Sequence, residues 1–215
     1  MQKIRVHNFS VSADGFAAGP NQDLTNPLGI GGMDLHQWFF PTDVFQQMVS
    51  KSAGEKSVDN DFALRASENI GARIMGRNMF SPVRGNWPDE SWKGWWGENP
   101  PFHSPVYVLT NHARKSISME GGTTFHFVTE GIDLALQRAK ESAGSKDIQI
   151  CGGTKTIQQY LKAQVIDEMH IAVCPVILGS GERLFENIDL IKLGYKITHN
   201  KLSDKAMHLI ITKTH

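Results

Sequence analysis

The sequence has few cysteines and no long apolar run. Its 215 residues include only two cysteines, Cys151 and Cys174, and each lies in an apolar stretch. A secreted domain held together by disulfides uses more cysteines, so we expect two free, buried thiols. The longest purely apolar run, residues 171–178, contains Pro175. It is far shorter than the roughly 18 residues that are needed to cross a bilayer, so no membrane-spanning helix is expected.

An excess of one charge and a secretory signal are also missing. Lys plus Arg number 22, and Asp plus Glu number 22. No surplus of positive charge is left to neutralise the phosphates of a nucleic acid, so we expect no nucleic-acid partner. Residues 1–8 have the pattern of a strand and lack the apolar core of a secretory signal, so we expect a cytoplasmic protein. The length fits one domain over residues 1–215.

Hydrophobic periodicity predicts an α/β fold. Residues 4–12 alternate in the manner of a strand, and residues 72–75 and 147–151 are predicted strands that end at glycines and are followed by helices. A helix is predicted over residues 59–69, with Asp59 as its cap. A long strand is predicted over residues 166–178, broken by Pro175, and an antiparallel hairpin over residues 192–200 and 206–212 closes the chain. This order predicts a mixed sheet with helices on both faces.

Three predicted strands end in small or polar residues, namely Gly76-Arg77, Thr110-Asn111 and Gly152-Gly153. Ligands bind at the carboxyl ends of strands in such sheets. Two glycines before a helix let the backbone approach a phosphate closely, although the same pair is typical of a tight turn. The nearby cations Arg114 and Lys155 suit either a phosphate or a solvated surface.

Familiar cofactor and metal motifs are missing. The sequence contains neither a Gly-x-Gly-x-x-Gly motif that opens a strand–helix unit nor a P-loop. His170 and Cys174 share one face of a predicted strand, but a structural zinc site needs four ligands, and no second pair accompanies them. We therefore expect both side chains in the core and no metal.

Five motifs, in order along nearly the whole chain, resemble those of the dihydrofolate reductase-like proteins. They are SVSADGFA at residues 10–17, IMGRNMF at 74–80, VLTN at 108–111, GG at 152–153 and DEMHIAVCPVILGSGERLF at 167–185. Within that group the chain is most similar to the reductase domain of bifunctional riboflavin biosynthesis proteins. The resemblance implies a single dihydrofolate reductase-like domain that binds NADPH along the strand ends.

The resemblance also assigns cofactor contacts. Arg77 and Asn78 would lie beside the cofactor phosphates, and Thr110 and Asn111 would approach the adenosine 2′-phosphate. The pyrophosphate would lie on residues 152–156, and the nicotinamide carboxamide on the backbone of two alanines. The complete set of implied cofactor residues is Ala13, Ala17, Gly76, Arg77, Asn78, Thr110, Asn111, Gly152, Gly153, Thr154, Lys155 and Thr156.

Asp14 and Asp61 are the candidate catalytic residues. Asp14 lies in a motif that the resemblance places on the substrate side of the nicotinamide, but Asp-Gly after a strand is also a common turn pair. Asp61 occupies a place comparable to the acid that holds the pteridine in dihydrofolate reductases, and it also suits the first turn of a helix. Trp38 is the candidate substrate contact, by stacking on a planar heterocycle, and its alternative place is in a core or interface.

The combined hypothesis is an NADPH-dependent reductase that transfers hydride to a small planar heterocycle, pyrimidinone-like or pterin-like. The alternative is a non-catalytic binding or assembly module that retains the reductase fold. We also expect a homodimer, as in related flavin-pathway reductases. Its contacts would come from the C-terminal strands and from a segment over residues 85–105 that contains four tryptophans.

Overall fold

The computed structural model describes residues 2–49 and 52–214, which adopt an α/β fold. The strands and α-helices, in chain order, are β1 (Ile4–Ser12), β2 (Phe16–Ala18), α1 (Asp43–Val49), α2 (Val58–Arg65), β3 (Ile70–Gly76), α3 (Arg77–Phe80), β4 (Pro105–Leu109), β5 (Ile117–Ser118), β6 (Thr124–Val128), α4 (Ile132–Ala143), β7 (Asp147–Gly152), α5 (Thr154–Lys162), β8 (Glu168–Cys174), β9 (Glu182–Arg183), β10 (Tyr195–Leu202) and β11 (Met207–Lys213). Short 3₁₀ helices cover Gly32–His36 and Glu120–Gly122.

The chain divides into two compact units. The first comprises Met1–Arg5 and Asn69–Val165, and the second comprises Val6–Glu68 and Ile166–His215. The strand β1 contributes its first two residues to the first unit and the remainder to the second. The single domain over residues 1–215 stays a prediction.

The first unit contains a mixed sheet with the strand order β1-β7-β3-β4-β6-β5. All of its neighbouring pairs are parallel except β5 with β6. Consecutive residues of β3 and β7 are buried, as they are when both faces of a parallel sheet are covered. The core beside β4 consists mainly of Met75, Phe80, Val106, Val108 and Phe125.

The second unit contains the strand order β10-β11-β8-β1 and a separate antiparallel pair of β2 with β9. The antiparallel pairing of β10 with β11 confirms the predicted C-terminal hairpin, and with the mixed sheet it confirms the predicted fold class. One core cluster of this unit joins Leu35, Trp38, Ala63, Ala172 and Cys174. Both cysteines of the chain are free, Cys174 buried and Cys151 half-buried.

Two details of the prediction are wrong. The strand predicted over residues 166–178 is shorter, since β8 covers only Glu168–Cys174, although the predicted break at Pro175, which lacks an N–H group for strand pairing, is confirmed. The cap of α2 is Ser57 rather than Asp59, since the Ser57 side chain accepts a hydrogen bond from the N–H of Asn60. None of the helices in residues 2–49 and 52–214 is long and apolar enough to cross a membrane.

A chain of hydrogen bonds runs through the core of the second unit. The backbone N–H of Asn8 donates to Nδ1 of His170 at 3.2 Å, so the proton of this imidazole lies on Nε2. That Nε2 donates to Nδ1 of His208 at 2.9 Å. Nε2 of His208 then donates to Oδ1 of Asp59 at 2.7 Å. These contacts fix one tautomer for each imidazole and leave both rings neutral.

Aromatic side chains enclose the two imidazoles. The ring of Phe62 stacks on both, with centroid distances of 4.5 Å to His170 and 4.3 Å to His208. Trp38 meets both rings edge-on. Burial is the main cause that lowers the pKa of His170 to about 2. Burial also lowers the pKa of His208, although its hydrogen bond to Asp59 acts in the opposite direction.

We predict that acid destabilises the fold through His170. The unfolded chain binds a proton at this residue as the pH falls through about 6.5, whereas the folded chain keeps the imidazole neutral. The neutral His170 therefore makes its full contribution to the free energy of unfolding above that pH. Below it, each pH unit removes about 1.4 kcal/mol of this free energy. Urea unfolding between about pH 7.5 and about pH 5.5 measures this loss.

A His170→Gln variant isolates the effect, since the amide can accept from Asn8 and donate to His208 without titrating. We expect its unfolding free energy to depend on pH more weakly than that of the wild type, by about one proton. His199, exposed on β10, provides the matched control, and His199→Gln should keep the wild-type slope. An unchanged slope in His170→Gln would contradict the prediction.

Candidate functional site

The predicted cofactor residues of the first unit lie together at one edge of its sheet. The parallel strands β7, β3 and β4 are neighbours, with Met75 opposite Gly152 and Gly76 opposite Leu109. Their carboxyl ends therefore lie side by side, where ligands bind in such sheets. The predicted residues at this edge are Gly76, Arg77, Asn78, Thr110, Asn111, Gly152, Gly153, Thr154, Lys155 and Thr156.

Close packing brings the end of β3 against the first turn of α5. A Cβ atom added to Gly76 would lie 2.5 Å from Oγ1 of Thr156, so only glycine fits there without a shift. A Cβ atom added to Gly153, the residue before α5, meets nothing within 4 Å. Thr154 is buried, and Lys155 is exposed. The start of α5 therefore combines open space with helix amides that lack partners within the helix.

Arg77 occupies the next position along the edge. Its Nη1 donates to Oγ1 of Thr110 at 3.2 Å. The same threonine oxygen accepts from the N–H of His112 at 3.1 Å. Nε and Nη2 of Arg77 are buried without a hydrogen-bond partner among the residues that the structure describes. Arg77 as a whole is half-buried, and a guanidinium with two donors left over is suited to an anion.

A tryptophan of the segment over residues 85–105 lies against this arginine. The Arg77 guanidinium carbon is 3.2 Å from the ring centroid of Trp87, and that of Arg114 is 4.7 Å from the same centroid. Nη2 of Arg114 donates to the carbonyl oxygens of Glu90 and Trp92 at 2.8 and 2.7 Å. Arg114 is therefore a half-buried, held side chain rather than a solvated surface charge. Sequence reasoning did not predict these contacts of Trp87.

The tryptophan-rich segment folds onto its own unit. Trp87, Trp92 and Trp96 pack against the core cluster beside β4.

Burial lowers the pKa of Arg77, and the neighbouring Arg114 and Arg84 lower it further. Several cationic groups are thus held close together at one edge of the first unit.

In the second unit, Asp14 anchors a turn. Its carboxylate accepts hydrogen bonds from Oγ of Ser12 at 2.6 Å and from the N–H groups of Leu178 and Gly179 at 3.2 and 2.8 Å. The Ser12 hydroxyl is the main cause that lowers the pKa of Asp14 to about 2. The carboxylate is therefore ionised at neutral pH and suits an anchor better than a proton donor. Its role beside the substrate stays a prediction.

The alanines predicted to face the nicotinamide also belong to the second unit. Ala13 is exposed, and its N–H donates to the carbonyl oxygen of Val176 at 2.9 Å. Ala17 lies in the short strand β2 and is half-buried. Their contact with the cofactor stays a prediction.

Asp61 and Trp38 occupy very different positions. Asp61 is exposed on α2, where it lines a surface cavity of about 190 Å³ together with Arg65, His199 and Lys201. Trp38 is only 1% exposed and donates its Nε1–H to Oγ of Ser10 at 2.9 Å. This position favours the core alternative for Trp38, and its contact with a substrate stays a prediction.

Asp59 is the buried acid that the sequence reasoning assigned to a helix cap. Together with Phe62 and Ala63 it forms the buried face of α2. The spacing of three and four residues to these apolar neighbours is the signal that places Asp59 on that face. Among the described residues, no group of three His, Cys, Asp or Glu side chains is arranged to hold a metal ion.

Three solved structures share the fold. A protein from Shewanella sp. PV-4 that is named for riboflavin biosynthesis aligns with a TM-score of 0.59 at 20% identity and full coverage of both chains. The diaminohydroxyphosphoribosylaminopyrimidine deaminase/5-amino-6-(5-phosphoribosylamino)uracil reductase of Thermotoga maritima aligns with a TM-score of 0.56 at 10% identity, over 99% of this chain and 57% of that one. Dihydrofolate reductase of Enterococcus faecalis, in a complex with NADP(H), aligns with a TM-score of 0.52 at 12% identity, over 100% of this chain and 97% of that one. The dihydrofolate reductase-like fold is thereby confirmed.

Sequence comparison gives two relatives and a family. The uncharacterized protein YyaP of Bacillus subtilis (strain 168) is 23% identical over 87% of this chain and 82% of its own length. The uncharacterized protein YwjB of the same organism is 40% identical over 62 residues, a match that spans 29% of this chain and 35% of YwjB. The family model of the RibD C-terminal domain matches residues 4–209. Because this match covers nearly the whole chain, the protein belongs to the RibD C-terminal domain family.

Proposed function

We propose that this protein is an NADPH-dependent reductase that transfers hydride to a small planar heterocycle. The observation that carries the proposal is the pair of unpartnered donors on Arg77, next to the Thr110 hydroxyl at the carboxyl edge of parallel strands. Membership of the RibD C-terminal domain family supports a reductase-type function for a chain with such an edge.

The 2′-phosphate of NADPH fits the Arg77 side of this edge. A guanidinium matches the geometry of phosphate oxygens and keeps its charge at every physiological pH. Thr110 orients the guanidinium, because its Oγ1 accepts a hydrogen bond from Nη1 of Arg77. Asn111, exposed one residue further, and Asn78, half-buried on α3, provide uncharged donors nearby. NADH lacks the 2′-phosphate, so this group of residues favours NADPH.

The pyrophosphate fits the start of α5. The first amides of a helix lack partners within the helix, and the helix dipole favours negative charge at this end. The open space over Gly153 lets an anion reach the amides of Thr154 and Lys155. The exposed Lys155 side chain adds a positive charge without closing the space.

When bound, NADPH supplies a hydride ion from its nicotinamide ring. The residues of the chain hold and orient the cofactor and the substrate. Asp14 does not donate the proton that accompanies reduction, because hydrogen bonds from Ser12 and from two backbone amides stabilise its ionised form. That proton comes from solvent in this proposal.

The substrate class rests on the names of related proteins. One structural relative is named for riboflavin biosynthesis. The other two are named as a 5-amino-6-(5-phosphoribosylamino)uracil reductase and a dihydrofolate reductase. These names indicate pyrimidinone or pterin rings, and we propose a ring of this kind for this chain. A screen of such compounds, followed by the loss of NADPH absorbance, tests the substrate class.

A non-catalytic binding module is the second candidate. Its support is that hydrogen bonds stabilise the ionised form of Asp14 and that Asp61 is exposed, so neither aspartate has the environment of a general acid. Binding of NADPH without its oxidation by any compound of the screen would favour this candidate. Oxidation of NADPH by one compound of the screen would exclude a non-catalytic binding module.

We also propose a homodimer that forms through β10. This strand lies at the edge of the sheet of the second unit, and every residue of β10 after Tyr195 is exposed. Ile197 is 56% exposed and Leu202 is 71% exposed. An exposed edge with apolar side chains is a template for pairing with a second copy.

Light scattering tests the dimer. We predict twice the 23.9 kDa chain mass for the wild type at micromolar concentration. The double variant Ile197→Lys, Leu202→Lys should scatter as a single chain, because charges at the edge oppose pairing. Leu24, exposed elsewhere in the second unit, provides the matched control, and Leu24→Lys should remain dimeric. A wild-type mass of one chain would contradict the proposal.

For the cofactor, we predict that Arg77→Ala weakens NADPH binding by about 1.5–3 kcal/mol, because a charged hydrogen bond is lost. NADH affinity should change much less, since NADH has no group for this guanidinium. Fluorescence titration with each cofactor measures both affinities. Lys162→Ala is the control, because it removes an exposed positive charge from the last turn of α5 and should leave both affinities unchanged. Equal losses for NADPH and NADH in Arg77→Ala would assign Arg77 a role other than 2′-phosphate recognition.

A further inference from the structure

Trp87 connects the tryptophan-rich segment to the strand end that carries Thr110. Its Nε1–H donates to the carbonyl oxygen of His112 at 2.9 Å. The N–H of His112 in turn donates to Oγ1 of Thr110, which also accepts from Arg77. The indole ring packs against the core of the first unit, with Phe80 at 6.0 Å and Phe127 at 5.4 Å between ring centroids. Trp87 is thus fixed at both its polar and its apolar side.

Two guanidinium groups of like charge lie against this one indole ring. The guanidinium carbons of Arg77 and Arg114 are 3.2 Å and 4.7 Å from its centroid. Each cation is attracted by the negative face of the ring, which offsets part of the repulsion between the two charges. Glu90 and Asp89 act electrostatically on Arg114, and Arg84 adds a further positive charge near Arg77.

Three donors of the two arginines are suited to an anion. Nε and Nη2 of Arg77 and Nη1 of Arg114 are buried without a hydrogen-bond partner within residues 2–49 and 52–214. Buried donors are nearly always satisfied in folded proteins, by protein, water or ligand. A ligand with several acceptor oxygens and a double negative charge would satisfy donors from both arginines, and a phosphate monoester is such a group.

We propose that Trp87 is a positioning residue that holds Arg77 and Arg114 together as a two-cation site for the 2′-phosphate of the cofactor. The tryptophan-rich segment is then the element that discriminates NADPH from NADH, since it contributes Trp87 and the carbonyl groups that fix Arg114. The inference rests on the proposed function, because the phosphate belongs to the proposed cofactor.

The test compares two ligands that differ only in the 2′-phosphate, namely 2′,5′-ADP and 5′-AMP. Calorimetry gives the ratio of their affinities for each folded variant. We expect the ratio to fall by about tenfold or more in Trp87→Leu, because the arginines lose the ring that holds them. The affinity for 5′-AMP should stay unchanged. Trp87→Phe keeps an aromatic face and should retain most of the ratio.

Trp95 provides the matched control. It belongs to the same segment and packs against Trp92 at a centroid distance of 4.8 Å. Trp95→Leu removes a comparable apolar ring and should keep the wild-type ratio. Arg114→Met is a second route to the answer if Trp87→Leu does not fold, and it should also lower the ratio.

The outcomes separate this inference from the proposed function. A wild-type protein that binds 2′,5′-ADP and 5′-AMP equally would overturn both. A wild-type preference for 2′,5′-ADP that persists in folded Trp87→Leu, or in Arg114→Met, would overturn the inference alone. A loss of preference that is equal in Trp87→Leu and Trp95→Leu would also overturn it, because the effect would then report packing of the segment.

Discussion

The close approach of β3 to the first turn of α5 determines how the first unit presents its polar groups. A side chain at Gly76 would meet Oγ1 of Thr156 at 2.5 Å and the backbone nitrogen of Gly153 at 3.5 Å. Because the strand ends directly against the helix start, Arg77 leaves the sheet next to the helix amides. The neighbouring strand β4 places Thr110 within hydrogen-bond reach of the guanidinium. One packing contact thus gathers a cation, a hydroxyl and a helix start at one edge.

The two units differ in how they use their buried polar groups. In the second unit, hydrogen bonds join several of these groups in the chain from Asn8 through His170 and His208 to Asp59. Such networks specify a fold and leave nothing for a ligand. Two buried atoms of this unit, Oδ1 of Asn8 and Nδ1 of His36, have no hydrogen-bond partner among the described residues, and neither belongs to a cationic group. In the first unit, donors of Arg77 and Arg114 are buried without partners among the described residues. The unpartnered atoms of the first unit are donors on cations, and this is the physical reason to assign anion binding to that unit.

Local sequence patterns predicted the elements that depend on local chemistry. Residues 4–12 form β1 as the alternation predicts, and the glycines at 76 and 152 mark the ends of β3 and β7. The motifs that resemble dihydrofolate reductase-like proteins predicted the fold class. Pattern reasoning placed a break at Pro175, where the missing N–H group ends the pairing of β8, but let the strand resume beyond it because apolar residues continue after the proline.

Contacts between distant segments are what the sequence does not reveal. Trp87 lies in a stretch without periodicity, and only the folded chain shows that two arginines from other segments stack on it. Asp59 suited a helix cap by its position, yet the buried His208, 149 residues away, decides its role. Predictions for Asp14 and Asp61 were limited in the same way, because burial and hydrogen-bond partners determine whether a carboxylate takes part in proton transfer.

The central claim is that the strand-end edge of the first unit binds the phosphates of a dinucleotide, and titration of a Gly153→Val variant with NADPH tests it most directly. The backbone of Gly153 has an ordinary negative φ of −74°, and the space beyond its Cβ position is open, so the variant should fold. Its side chain would fill the space through which pyrophosphate reaches the amides of α5. The account predicts a folded variant, verified by circular dichroism, that binds neither NADPH nor NADH. Wild-type NADPH affinity in the folded variant would contradict it.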